Sequence, residues 1–278
     1  MLIGGAAATF IGLHMQGLFA PMHLGLAVTA GAAAGGAYAF LAAWLWARRS
    51  VNEIISTLLL NLIAVQIISW LVRGPVQEPT GSFPRTAPVF DSARWPHVLR
   101  NTPLGYDLFV ALAMVFVVSF VIRRTEFGFH LTLTGANETA ARSVGVPTVR
   151  ITVLALAISG ALAGLAGSSV ILAGETGTMS DNFSAGFGFA GIVVALLARN
   201  APSGVVPAAL LIAALRQGGG LMEAQVGVPS SLVLVTEGIV ILLVVASSFG
   251  FQRFWTVRVD ARAARRDRRV PAALETDR

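Results

Sequence analysis

Residues 151–174 read ITVLALAISGALAGLAGSSVILAG and contain no charged side chain. A helix needs about 20 apolar residues to cross the hydrocarbon core of a bilayer, so this run is long enough. Similar uncharged runs recur along the chain, which is 55% hydrophobic and 12% charged, with a mean hydropathy of +0.74. The runs are rich in Leu, Ile, Val and Ala and lack the alternation of barrel strands. The sequence therefore predicts an all-α, polytopic transmembrane helix bundle.

The apolar runs predict a membrane domain over residues 1–252, followed by a basic, disordered tail at 253–278. The run 2–13 is too short to span comfortably, so we expect that helix to start upstream. Two later runs are also short and predict a pair of half-length or re-entrant helices, buried in protein or lining a cavity. The candidate spans are 2–13, 24–46, 52–72, 106–122, 150–173, 186–198, 204–216 and 231–249.

The arginines orient these spans, because cytoplasmic loops carry an excess of positive charge. All 20 basic residues are arginine, and alternate threading puts 15 of them on one side. That side holds the loop 125–149 and the tail, which we expect to be cytoplasmic. The loop 73–105 is then extracytoplasmic, and its six prolines predict an irregular, ordered lid over the helix ends. The five arginines on this second side are Arg73, Arg85, Arg94, Arg100 and Arg216.

A short polar helix is predicted within residues 135–147, GANETAARSVGVP. Asn137 is a suitable N-cap, and Glu138 lies in the first turn, where the helix dipole favours a negative charge. Arg142 lies toward the other end, and Gly145 can adopt the left-handed conformation that ends a helix. About two turns of helix are too short to be stable alone. The segment is therefore either a loop that docks on a soluble partner or a capped connector without one.

Polar side chains inside the spans are few. Glu53, Thr57 and Asn61 recur at i, i+4 and i+8, which places them on one helical face. A polar stripe in a membrane is costly, so it is expected either to line a translocation path or to bond to another helix. Glu237 is a lone carboxylate within a later span, and it could snorkel, accept a hydrogen bond or line the path.

Small residues are spaced for close helix contacts. Gly31 and Gly35 form one G-x-x-x-G pattern, and Gly160 and Gly164 form another. Such spacing lets helix backbones approach closely. We expect these glycines to serve packing within the bundle rather than dimerisation.

Several classes of function find no support in the sequence. The chain has no cysteine, so thiolate metal sites and disulfides are excluded, and its four histidines are scattered. Hydrolase and P-loop motifs are missing, so we expect no catalytic residues, no metal and no cofactor in this chain. The net charge of +6 lies in flanks and tail and requires no nucleic acid.

Three stretches carry a family resemblance. Residues 138–145 resemble the cytoplasmic EAA-and-Gly motif of ABC importer permeases, and 135–146 are similar to its version in the branched-chain amino acid, ribose and nucleoside branch. Residues 51–61 and 186–204 resemble helices of nucleoside permeases. The resemblance spans roughly Leu24 to Phe249. The family has an additional membrane segment before the position that Leu2 matches.

The resemblance implies a permease subunit of a binding-protein-dependent importer in the bacterial plasma membrane. A second permease chain, identical or different, would complete the pathway, and ATP and Mg²⁺ would bind to separate cytoplasmic ATPase subunits. An extracytoplasmic binding protein would deliver the solute. The small side chains at 140 and 141 are expected to allow close approach to the ATPase. The implied coupling residues are Gly135, Asn137, Glu138, Ala140, Ala141, Arg142 and Gly145.

Alternatives remain open at this point. The resemblance favours a nucleoside as the solute, with sugars and branched-chain amino acids as competitors. A passive or ion-coupled channel or carrier is compatible with Glu237 and the short helix pair. A membrane scaffold without transport activity is a further alternative.

Overall fold

A computed structural model gives the fold. It describes residues 1–15, 17, 19–49, 51–79, 81, 83–96, 98, 105–184 and 186–227, together with 232, 235, 238 and 239. The predicted all-α class is confirmed. The helices of this part of the chain are α1 (Leu2–His14), α2 (Ala20–Arg49), α3 (Glu53–Arg73), α4 (Asp107–Arg124), α5 (Glu126–Ala136), α6 (Glu138–Ser143), α7 (Thr148–Leu172), α8 (Phe187–Leu197) and α9 (Pro202–Val226).

Four of these helices, α2, α3, α7 and α9, are long and apolar enough to cross a membrane. A fifth span is possible if α4 and α5, which are bent by 76° at their junction, count as one. The polytopic prediction is thus confirmed within the described residues. The predicted tail and Glu237 lie outside them, and the predicted span 231–249 is described at only four positions.

The chain divides into two compact units, Met1–Gly188 and Phe189–Arg278. In the first unit α1, α2 and α7 cross at glycines. A Cβ atom built on Gly35 would lie 2.5 Å from the carbonyl oxygen of Gly160 and 2.7 Å from Cα of Gly164. Gly4 on α1 approaches Gly164 equally closely. The predicted role of these glycines in packing within the bundle is confirmed, because the helix backbones themselves are in contact.

The described part of the 73–105 loop is ordered, as its prolines predicted. The described residues between 74 and 96, which we call the lid segment, lie over the ends of three helices. The backbone N–H of Phe90 donates to the Gly12 carbonyl of α1 (3.1 Å), and that of Trp95 donates to the Leu172 carbonyl of α7 (3.1 Å). The Arg94 guanidinium donates to the Gly174 carbonyl (2.8 Å), two residues beyond the end of α7.

A buried histidine fastens the lid segment to α2. His23 is fully buried, and its Nδ1 lies 2.8 Å from the Ser92 hydroxyl of the lid segment. Its Nε2 lies 3.1 Å from the Ile11 carbonyl of α1. Both ring nitrogens are therefore satisfied. This arrangement explains the burial of a polar side chain at the junction of two helices.

The loop predicted at 125–149 proves to contain two helices. Thr125 ends α4 and caps α5, because its hydroxyl accepts from the Gly128 N–H (3.2 Å) and donates to the Val121 carbonyl (2.6 Å). A Cβ on Gly128 would lie 2.3 Å from the Val121 carbonyl oxygen, so the sharp bend requires glycine there. Sequence reasoning missed α5 because this segment is too short to span.

The second unit corrects one prediction. Of the expected short pair, α8 is short, but the run predicted at 204–216 belongs to a 25-residue helix, α9. The predicted run stopped at Arg216, whereas the helix continues through this residue. A charged side chain does not interrupt the hydrogen bonds of the helix backbone. Its charge is tolerated near a membrane because the long stem can carry it to a polar environment. The helix ends only at Gly227, in the left-handed conformation (φ +70°).

The packing within the second unit is simple. Arg199 and Asn200 adopt left-handed backbone conformations (φ 50° and 55°) between the two helices. Ala190 and Val193 of α8 pack against Ile212 of α9. A tight turn therefore brings two apolar helices into direct contact.

Candidate functional site

The long helix α7 separates two structured ends of the first unit. The lid segment bonds to its C-terminal end, whereas α5 and α6 pack near its N-terminal end. A helix of 25 residues is about 37 Å long. The short helix α6 and the lid segment therefore lie at opposite ends of a bundle that is long enough to cross a bilayer.

The start of α6 has the predicted cap. The Asn137 side-chain oxygen accepts from the Ala140 N–H at 3.0 Å, and Glu138 occupies the first turn. Glu138 also forms an i,i+4 ion pair of 2.5 Å with Arg142. Arg142 in turn donates from Nε to the hydroxyl of Thr148, the first residue of α7 (3.0 Å). The Arg142 side chain thus connects the first turn of α6 to the beginning of α7.

The end of α6 is a Schellman motif. Gly145 has φ +85°, the left-handed conformation that was predicted for it. The N–H of Gly145 donates to the Arg142 carbonyl and that of Val146 donates to the Ala141 carbonyl, both at 3.0 Å. These two bonds satisfy carbonyls that a helix end would otherwise leave unpaired. The motif fixes the direction in which the chain leaves α6 for α7.

The two adjacent alanines of α6 face in different directions. Ala141 is fully buried against Val146 and Ile151, whereas Ala140 is exposed. Ala141 therefore contacts the bundle within this chain, whereas Ala140 is open to a partner. Neighbouring residues on a helix point about 100° apart. Because both residues are alanine, the sequence could not show which of them faces the bundle.

The outward side of α6 carries Thr139, Ala140, Ser143 and Val144, all exposed. Val144 is 69% exposed, although its side chain is apolar. Sequence reasoning did not single it out. The available signal was a branched apolar residue at the end of a polar helix. Gly135 near the end of α5 is also exposed, and a Cβ there would meet nothing within 4 Å.

A second feature is a cavity of about 190 Å³ among α1, α2, α3 and α7. Thr57 and Asn61 line it together with Tyr38 of α2, whose hydroxyl donates to the Leu60 carbonyl (2.7 Å). Thr57 bonds to its own helix, to the Glu53 carbonyl at 2.9 Å. The side-chain amide of Asn61 makes no hydrogen bond with any described residue. The polar stripe therefore brings one available amide to the cavity wall.

Glu53 does not share this position. It lies in the first turn of α3, behind the N-cap Asn52, and is not among the residues that line the cavity. No group of three or more His, Asp or Glu side chains in the described part of the chain could hold a metal ion.

We expect Asn61→Leu to reduce solute uptake about fivefold, the value of one lost hydrogen bond of about 1 kcal/mol. The amount of folded protein should stay normal, because the Asn61 amide bonds to no described residue. Gln66→Leu is the matched control, since Gln66 is an exposed amide on the same helix outside this cavity. Uptake per folded molecule decides the question. Equal rates for Asn61→Leu and wild type would remove Asn61 from the path.

Comparison with known proteins identifies similar sequences. Residues 1–245 match the family model described as branched-chain amino acid transport system / permease component. A glucose ABC transporter permease protein of Haloferax volcanii is 36% identical, over 98% of this chain and 73% of its own. A guanosine ABC transporter permease protein of Bacillus subtilis is 35% identical, over 89% and 71%.

A nucleoside ABC transporter permease protein of Lactococcus lactis is 26% identical to this chain, over 87% of it and 69% of the relative. No solved structure matches the chain. The similarity therefore extends over most of each of these three relatives.

Proposed function

Because this chain belongs to the branched-chain amino acid transport system / permease component family, it is a multi-pass permease subunit of a binding-protein-dependent ABC importer, and we propose that its solute is a nucleoside. The pairing of the Tyr38 ring and the Asn61 amide in one cavity carries the proposal. Nucleobases stack on aromatic side chains and bond through their edges. Guanosine and nucleoside permeases among the relatives support the same choice. Glucose is the second candidate, favoured by the relative from Haloferax volcanii.

The family implies cytoplasmic ATPase and solute-binding partners. We propose that α6 is the coupling helix and that it docks on the ATPase through its outward side, Thr139, Ala140, Ser143 and Val144. Five of the other implied coupling residues would then act indirectly: Asn137, Glu138, Arg142 and Gly145 stabilise the helix, and Ala141 packs it against the bundle. The sixth, Gly135, is exposed near the end of α5. A second permease chain, identical or different, completes the pathway in this proposal.

The contacts of α6 suggest how docking could move the membrane helices. Arg142 bonds to Thr148 at the start of α7, and Ala141 packs against Ile151 one turn further. The backbone of α7 in turn contacts that of α2 at Gly35. A displacement of α6 by the ATPase would therefore be transmitted to α7 and from α7 to the wall of the cavity.

We place the permease in the plasma membrane of a bacterium, with α6 on the cytoplasmic side and the lid segment on the outer side. The chain has no cysteine, so a single introduced thiol reports its own side. We expect a cysteine at Asp91, whose side chain is 99% exposed in the lid segment, to react with an impermeant maleimide in intact cells. In cells that lack the ATPase, which would otherwise cover it, a cysteine at the exposed Ser143 should react only after permeabilisation. The reverse pattern would refute the coupling role of α6.

Uptake measurements test the solute. Cells that express the permease with its ATPase and binding protein should accumulate labelled guanosine, and cells without the permease should not. Excess unlabelled adenosine or uridine should compete, and excess glucose should not. Accumulation of glucose without guanosine would show that the solute is a sugar, and the assignment as an importer would stand.

A further inference from the structure

The helix α4 has an unusual surface. None of its residues is buried, and Phe116 and Phe120 are 73% and 55% exposed. These rings and Ser119, Arg123 and Arg124 surround a recess of about 480 Å³. The spacing 116, 120, 124 and 119, 123 places all five side chains along one face of the helix. The recess is therefore apolar toward the middle of α4 and cationic at its end.

The two arginines make no ion pair with any described residue. Glu126 follows them closely in the chain, at the start of α5, yet it does not pair with either guanidinium. Two adjacent cations beside aromatic rings are costly at membrane depth unless an anion or water reaches them. Charge complementarity thus points to an anionic occupant.

With α4 taken as the membrane-crossing part of the bent pair, these cations would lie at the level of the lipid headgroups. Arg123 and Arg124 lie in the last turn of α4, and the chain then turns by 76° into α5, so an α4 that crosses the membrane by itself would end at these arginines. The phenyl rings lie one and two turns deeper along the same face. A phosphodiester at the arginines would leave its acyl chains beside the rings. Guanidinium groups bind such phosphates through paired N–H donors.

We propose that this recess is a binding site for an anionic phospholipid, with its phosphate on Arg123 and Arg124 and its acyl chains against Phe116 and Phe120. The orientation proposed above places this site in the inner leaflet of the membrane. The class of lipid is inferred from the residues of the recess and does not depend on transport activity. The bound lipid would stabilise the bend between α4 and α5, and so the segment that supports α6.

The test titrates the purified transporter complex with phosphatidylglycerol and measures the bound lipid by native mass spectrometry. Arg123→Gln combined with Arg124→Gln should weaken retention about 30-fold, since each basic residue near an anionic lipid surface contributes about fivefold. Lysine at both positions should retain part of the affinity, because it keeps charge but not the planar donor geometry. Phosphatidylcholine should bind weakly to wild type and be little affected by these changes.

The matched control is Arg48→Gln with Arg49→Gln, in the last turn of α2. It removes the same charge from the same predicted side and should leave phosphatidylglycerol binding nearly unchanged. An equal loss in the control would show general electrostatic attraction and overturn the site. Unchanged binding in the Arg123/Arg124 variant would do the same. Dissociation of a permease dimer without a change in lipid affinity would assign α4 to a protein interface instead.

Discussion

Val144→Asp is expected to abolish solute uptake while the permease still inserts and folds. Val144 is 69% exposed on the outward side of α6, so the substitution removes no buried contact within the chain. In the docked complex the new carboxylate would be buried without a partner. A central interface residue of this kind contributes about 2 kcal/mol or more, so ATPase association should fall about 30-fold or more. Co-purification of the ATPase and uptake should decline together.

Val98→Asp is the matched control. Val98 is 40% exposed and follows the lid segment, at the end of the bundle opposite α6. The same chemical change there should leave ATPase association normal. Full uptake and normal co-purification in Val144→Asp would make α6 an ordinary connector and would remove the coupling proposal.

Gly35→Leu is expected to eliminate most of the folded protein. Even the first carbon of the new side chain would lie 2.5 Å from the Gly160 carbonyl oxygen and 2.7 Å from Cα of Gly164. Both are backbone atoms of α7 and cannot turn aside as a side chain would. Overpacking in a core typically costs about 1–3 kcal/mol, and a backbone clash belongs at or above the top of that range. The yield of monodisperse protein after extraction measures the effect.

Gly25→Leu provides the comparison on the same helix. A Cβ at Gly25 would meet nothing within 4 Å, so the same substitution should be tolerated there. Helix propensity even favours leucine over glycine by up to about 1 kcal/mol. Equal yields for the two variants would mean that α2 and α7 do not cross at Gly35.

The features of α6 that depend on neighbouring residues were predicted from the sequence, whereas those that depend on contacts with more distant residues were not. Asn137 and Gly145 were identified because capping depends on the residues within a few positions of a helix end. The burial of Ala141 could not be predicted, because it depends on Val146 and Ile151 after the chain has turned. The capping signal at Thr125 was present, but the bend that it shares with Gly128 depends on backbone contacts with the end of α4.

The cavity and α9 also combine features that the sequence predicted with features that it did not. Helical periodicity placed Thr57 and Asn61 on one face of α3, and the structure brings both to one cavity. Helical periodicity could not show that Glu53 lies outside the cavity, or that Tyr38 from another helix also lines it. The length of α9 was missed because Arg216 was taken as a boundary, although the helix continues through it to Gly227.

The inward and outward sides of α6 have different consequences in a cell that carries two copies of the gene. A bulky change at the buried Ala141 reduces the amount of permease, and the intact copy supplies functional transporters. In the proposed assembly, a change at the exposed Val144 that blocks docking would leave a stable permease that still joins a second permease chain and the binding protein, but not the ATPase. Such a chain occupies partners without transporting solute. We then expect the loss of uptake to be recessive for Ala141 and dominant for Val144.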